Sequence, residues 1–138
     1  MKKETEESIQ LFEVSSQWST ETIEKNVSPA LQESKDEILK TFRSRVPEMS
    51  EDEAKIAAGK VSSQKITVKY HGAGSVPEMV EIAVKLTPLV AAIVPLVEPY
   101  AQKSAELAYK IGDDIWELIK NRLWFKYNIK LSPKKVKR

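Results

Sequence analysis

The chain has no cysteine, one histidine and four glycines among its 138 residues. The absence of cysteine excludes disulfides, thiolate metal sites and cysteine nucleophiles. It suits a reducing compartment without requiring one. With His71 the only histidine, paired imidazole ligands such as those of HExxH are excluded, and a histidine-based metal site would need ligands shared between subunits. The start, MKKETEESIQLFEV, lacks the apolar run of a secretory signal. Its acids Glu4, Glu6, Glu7 and Glu13 are unlike an acid-poor transit peptide. An intracellular protein beginning near Met1 is therefore expected. Long hydrophobic runs are also missing: the twelve uncharged residues from Leu86 to Val97 fall short of the roughly 20 that a spanning helix needs.

The length fits one domain, able to bury about two-thirds of its unfolded surface. A net charge of +2 conceals an asymmetry. Residues 1–58 carry 8 basic and 13 acidic side chains, residues 59–117 carry 6 and 7, and residues 118–138 carry 8 and none. An acidic front and a basic end point to an anionic partner at the C-terminus or to head-to-tail self-contact.

Helical periodicity dominates the pattern. Leu11, Val14 and Trp18 recur at offsets of three and four, which predicts a helix from Glu6 to about Asn26. Ser28 and Pro29 then read as the N-cap and first turn of a second helix lined by Leu31, Ile38, Phe42 and Val46 and stopped before Pro47. Ser50 and Glu53 form a capping box for a third, short helix ending near Gly59. KITVKY, residues 65–70, is the one strand-like stretch, and with nothing in the chain to pair with it reads as an extended connector or an edge that recruits another molecule. Ser75 and Glu78 make a second capping box, for a helix starting near Val76. A last long helix, from about Pro99 to Tyr127, has a core stripe around Ile115 that includes Ala108, Ile111 and Ile119.

Candidate catalytic groups do not assemble. Gly72 and Gly74 match the first two glycines of a dinucleotide fingerprint, but Pro77 takes the place of the third and the βαβ context is absent. Glu106, Asp113, Asp114 and Glu117 cluster on the last helix with spacings that suit ion pairing and solvation. No nucleophile, base and orienting group come together, so a non-catalytic protein without cofactor or metal is expected.

The apolar segment from Met79 to Val97 is interrupted by Glu81 and Lys85 and punctuated by Pro88, Pro95 and Pro99. In PLVAAIVPLVEP the proline spacing of seven then four resembles the proline knot of the oleosin and caleosin lipid-droplet proteins, with Val94 where the knot has serine and Glu98 inside it. That resemblance implies a segment held at a lipid surface. Leu89, Val90, Ile93, Val94 and Leu96 are accordingly the candidate membrane or partner contacts here. Further along, Trp116, Trp124, Phe125 and Tyr127 join them. On the helical wheel Trp124 lies 180° from Ile115, opposite the core stripe, and aromatics among lysines are the pattern of an interfacial anchor. Arg122, Lys126, Lys130 and Lys134, with Lys135, Lys137 and Arg138, are the candidate contacts to an anionic partner. Lys134–Lys137 also fits a short nuclear-import pattern, and the aromatics offer stacking surfaces for bases.

The sequence thus predicts an all-α bundle of four to five helices in a single helical domain, residues 1–129. Within it, 1–62 are acidic helices, 63–75 an extended connector, and 76–129 a proline-broken apolar hairpin with the long C-terminal helix; 130–138 are a basic tail. The expected function is a non-catalytic peripheral protein of a membrane or lipid surface on its cytoplasmic side, or a subunit of an assembly formed there. The alternative is a soluble helical scaffold or adaptor that binds protein or, less favoured, nucleic acid through its basic end, with a nuclear location. A homo-oligomer fits either reading.

Overall fold

The computed structural model describes residues 9–134. Over these residues the chain is mixed α/β, five α-helices with a four-stranded antiparallel sheet, so the all-α expectation is overturned. Strands β1 (Ile9–Ser15), β2 (Thr67–Ala73), β3 (Met79–Lys85) and β4 (Ser132–Pro133) lie in the order β2-β3-β1-β4.

The first predicted helix is two elements. Ile9–Ser15 pairs along its whole length with β3, from Ile9 opposite Lys85 to Ser15 opposite Met79. Phe12 and Val14 point into the core while Leu11 and Glu13 fall on the other face, the period of two that a strand imposes. Apolar residues on both faces imitate a helical stripe, and cross-strand pairing decides between the two. Helix α1 (Thr20–Glu33) begins only after Ser19, whose side chain accepts from the Thr22 amide at 3.1 Å.

Pro29 does not start a new helix but sits inside α1. A proline there removes one helical hydrogen bond at a cost of about 3 kcal/mol, and burial of the adjoining Ala30 and Leu31 offsets it. The break comes instead at Ser34, which separates α1 from α2 (Lys35–Arg45) and donates its buried hydroxyl to the Ala30 carbonyl at 2.8 Å. Helix α3 (Glu51–Ser62) has the predicted capping box, Glu53 N–H to Ser50 Oγ at 3.1 Å and Ser50 N–H to Glu53 Oε1 at 2.8 Å. It continues past Gly59 to Ser62.

The predicted connector 63–75 contains β2, and its partner is β3, the segment read as the start of an apolar helix. Val80, Ile82 and Val84 alternate with Glu81, Ala83 and Lys85, so the β-branched residues face one way. Ser75 and Glu78 do not cap a helix. The Ser75 amide and hydroxyl both bond the Glu13 carboxylate, at 2.7 and 2.9 Å, and the Glu78 carbonyl accepts from Ser16 N–H at 2.7 Å. Gly74 is needed in this hairpin because a Cβ there would lie 2.7 Å from the Met79 backbone.

The apolar hairpin reduces to one helix, α4 (Thr87–Val97), with Pro88 in its first turn and Pro95 inside it, followed by a short 3₁₀ turn through Pro99 (Glu98–Tyr100). Helix α5 starts at Ser104, not near Pro99, and runs to Tyr127 as predicted. It crosses α4 closely at Gly112, where an added Cβ would come within 3.2 Å of Val90 Cγ2. The sheet lays one face on the helices through Phe12 and Trp116, whose ring centroids are 5.8 Å apart. Trp116 is buried and its indole N–H has no hydrogen-bond partner among the described residues. That costs about 1–3 kcal/mol, against the burial of the largest apolar surface any side chain offers.

A candidate binding surface at the end of the last helix

The predicted contact residues separate into two sets. Leu89, Val90, Ile93 and Trp116 are core residues, and Val94 and Leu96 pack against that core half-buried. Lipid-surface association drew on this segment, and the structure gives it no such support: the proline spacing shared with the oleosin knot marks a core helix. No helix among the described residues is long and apolar enough to cross a membrane.

The second set gathers at the C-terminal end of α5. Asn128, in the left-handed conformation (φ 61°, ψ 29°), ends the helix, and its N–H together with that of Ile129 closes back on the Leu123 and Trp124 carbonyls. Ile129 and Leu131 then drop into the core, which fixes the chain reversal. The predicted tail is thus part of the fold as far as Lys134, whose N–H reaches the Leu11 carbonyl at 2.9 Å.

This reversal carries Lys130 back over the Trp124 ring, 4.6 Å from its centroid. Trp124 stacks in turn on Phe125 at 5.5 Å and 11°. Phe125 is 81% exposed and Trp124 45%, the most exposed pair of aromatic neighbours in the described chain. Tyr127 is half-buried and donates to Glu33 Oε2 at 3.1 Å. Beside Phe125 a groove of about 430 Å³ runs between Leu118, Asn121 and Arg122 of α5 and, facing them, Ser34 at the α1–α2 junction and Glu37 of α2.

The predicted cations among the described residues have partners within the chain: Lys130 lies over Trp124, and the other three meet carboxylates. Arg122 donates to Ser34 Oγ at 3.2 Å and to Glu37 Oε2 at 3.4 Å, and Lys126 bonds Glu33 Oε2 at 2.7 Å. That Lys126 bond, helped by Tyr127 and Arg122, holds the Glu33 carboxyl below the usual glutamate range and raises Lys126 correspondingly. Lys120 pairs with Glu117 at 2.9 Å. Lys134 lies between Glu13 and Glu81, at 3.5 and 3.6 Å, on the sheet face away from the helices. The acidic front and basic end of the sequence therefore meet within one molecule. Lys135, Lys137, Arg138 and the import-like pattern lie outside the described residues.

The other candidates diverge. Asp114 pairs with Arg45 at 2.8 Å and Asp113 accepts from Gln10 at 3.1 Å, so the carboxylates of α5 do not share a site. His71, in the segment read as an extended connector, stands on β2 with its Nδ1 3.2 Å from Glu81 Oε1. Among the described residues no three histidine, cysteine or acidic side chains are placed to hold a metal. The one described surface that combines exposed aromatics, a fixed geometry and an adjoining groove is the end of α5. Fold and surface together define a mixed α/β domain with an aromatic platform on its last helix. No protein-family model, curated protein or solved structure matches the chain.

Proposed function

We propose that the protein is a non-catalytic binding module that presents Trp124, Phe125 and the adjoining groove to another polypeptide. The observation that carries this reading is the stacked pair itself, held by Lys130 on one side and left open to solvent on the other. A large exposed aromatic costs solvation unless a partner covers it, and Trp and Tyr-type anchors beside a pocket are where interface energy concentrates. A polypeptide is favoured over nucleic acid because Arg122, Lys126 and Lys134 already have carboxylate partners. A phosphate backbone would have to compete with each of them for its counter-charge. An intracellular location suits a chain without cysteine.

The test is site-specific photo-crosslinking in the cells that make the protein, with a benzophenone amino acid at Phe125 and, as a control, at the exposed Ile56. A discrete polypeptide adduct from position 125, absent from position 56 and lost with Trp124→Ser, supports the reading. Adducts to nucleic acid, or equal adducts at both positions, would sink it.

A further inference from the structure

Among the described residues β2 has a hydrogen-bonded neighbour on one side only. In an antiparallel ladder the N–H and C=O of one residue point to the same side, and successive residues alternate. The Val68 N–H does not go to β3: it donates to the Glu24 carboxylate of α1 at 2.7 Å. Val68 therefore faces the free edge, and by alternation so does Tyr70. Along that edge runs a groove of about 380 Å³, walled by residues 67–70 on one side and by Glu21 and Glu24 on the other. Neighbouring side chains of a strand point to opposite faces, so four consecutive strand residues line one groove only when it follows the strand's edge.

We propose that this edge accepts an extended segment of another polypeptide with lysine or arginine at alternate positions. Glu24 holds the place of the incoming carbonyl: it already accepts the hydrogen bond that a paired strand would take from Val68. An incoming strand that displaces it leaves a carboxylate without its donor beside Glu21, and a cation on the segment restores a partner. The alternation fixes where that cation sits. Val68 is a core residue, so its side chain marks the helix side of the edge, where Glu21 and Glu24 stand, and Lys69 points to the opposite side. The segment is therefore basic on its helix-facing positions and uncharged on the others. Tyr70, 65% exposed, flanks the far end.

A second copy of β2 fits poorly. Pairing Val68 with Tyr70 of the copy would place two Lys69 side chains directly opposite each other, an arrangement that natural edges use to prevent self-pairing. The register shift between Tyr70 and Gly72 also keeps the regular edge short.

The experiment titrates the isotope-labelled full chain with two blocked eight-residue peptides, one alternating threonine and lysine, the other threonine and glutamate. The amides of Val68 and Tyr70 should shift and saturate with the lysine peptide, which should bind about tenfold tighter than the glutamate peptide at low salt. Glu21→Gln with Glu24→Gln should bring the two peptides to near parity while the fold persists, because a glutamine oxygen still accepts from Val68. The proposal is overturned by an absence of saturable shifts at Val68 and Tyr70 at millimolar lysine peptide. Equal affinity for both peptides, shifts confined to the end of α5, or sedimentation showing these amides protected in a dimer without peptide would each overturn it as well.

Discussion

Helix α4 and the last two turns of α5 both carry residues that the sequence offers as membrane or partner contacts, and the fold puts them to opposite uses. In α4 one apolar face turns inward: Leu89 and Ile93 are fully buried, and Gly112 lets α5 close over Val90. At the end of α5 the core stripe stops at Leu123, and the next two residues, Trp124 and Phe125, stay outside. The lesson is one of angle against length. Twelve uncharged residues identify a segment that avoids water, which a protein core satisfies as well as a lipid does. An aromatic placed opposite a helix's buried stripe has no core to enter, so its position on the wheel says more about the surface than the hydrophobicity of its neighbourhood does.

The largest effect that would break this comparison is a charge in each region. Leu89→Asp puts a carboxylate among apolar side chains without a counter-charge and should cost about 3–5 kcal/mol, a large share of the 5–15 kcal/mol typical of a domain. Thermal unfolding followed by circular dichroism should show a midpoint lowered by well over 10 °C, by the usual conversion for this size, or no folded baseline. Phe125→Asp should leave the midpoint within a few degrees of the parent. A tolerated Leu89→Asp would mean that α4 is not a core helix.

How much of this was legible beforehand follows from which interactions are local. The capping box of Ser50 and Glu53, the stop after Val46 and the stripe of α5 depend on residues within a turn of one another, and they stand in the structure as read. Of the strands only β2 was legible, in KITVKY, and without its partner; the rest were hidden because the segments they pair with are distant. Ile9–Ser15 becomes a strand only when Met79–Lys85 lies beside it, and nothing within either segment announces the other. Val80, Ile82 and Val84 did carry a strand signal, a β-branched alternation, which the Ser75–Glu78 spacing masked by imitating a cap. The exposure of Trp124 could be read from its angle to Ile115. The partners of Arg122 and Lys126 could not, since Glu33 and Glu37 lie more than eighty positions away.

A middling effect should come from the contacts that tie the end of α5 to the acidic helices. Arg122→Met keeps most of the side chain's length and removes its hydrogen bonds to Ser34 and Glu37. A loss of about 1 kcal/mol is expected for a part-exposed network, measurable by urea unfolding with an unchanged m-value. Glu33 adds a pH dependence. Its carboxyl is held below the ordinary glutamate value, chiefly by Lys126, so it stabilises the folded state above its unfolded pKa of about 4.3 and that contribution is lost as pH falls through the lower folded value. Glu33→Gln should therefore lower stability at neutral pH and flatten the acid limb of the stability curve below about pH 4.3. An acid limb identical to the parent's would mean that the ends of the sequence meet without contributing to stability.

The smallest effect sharpens the comparison most, because it asks whether the exposed aromatics are fixed or merely uncovered. Lys130→Met retains the alkyl stem over Trp124 and removes the charge that lies 4.6 Å from the ring centroid. An exposed cation–π contact is worth about 0.5–1 kcal/mol. Trp124→Leu should abolish the same contribution, so in a double-mutant cycle the two losses should fail to add by about 0.5 kcal/mol. Folding buries Ile129 and Leu131 on either side of Lys130, which orients the lysine whether or not the ring is present. A coupling energy near zero would therefore mean that the charge does not hold Trp124 in place. The stacked pair would then lose the rigidity that distinguishes a prepared binding surface from two aromatics left over at a helix end, and the contrast with α4 would reduce to burial alone.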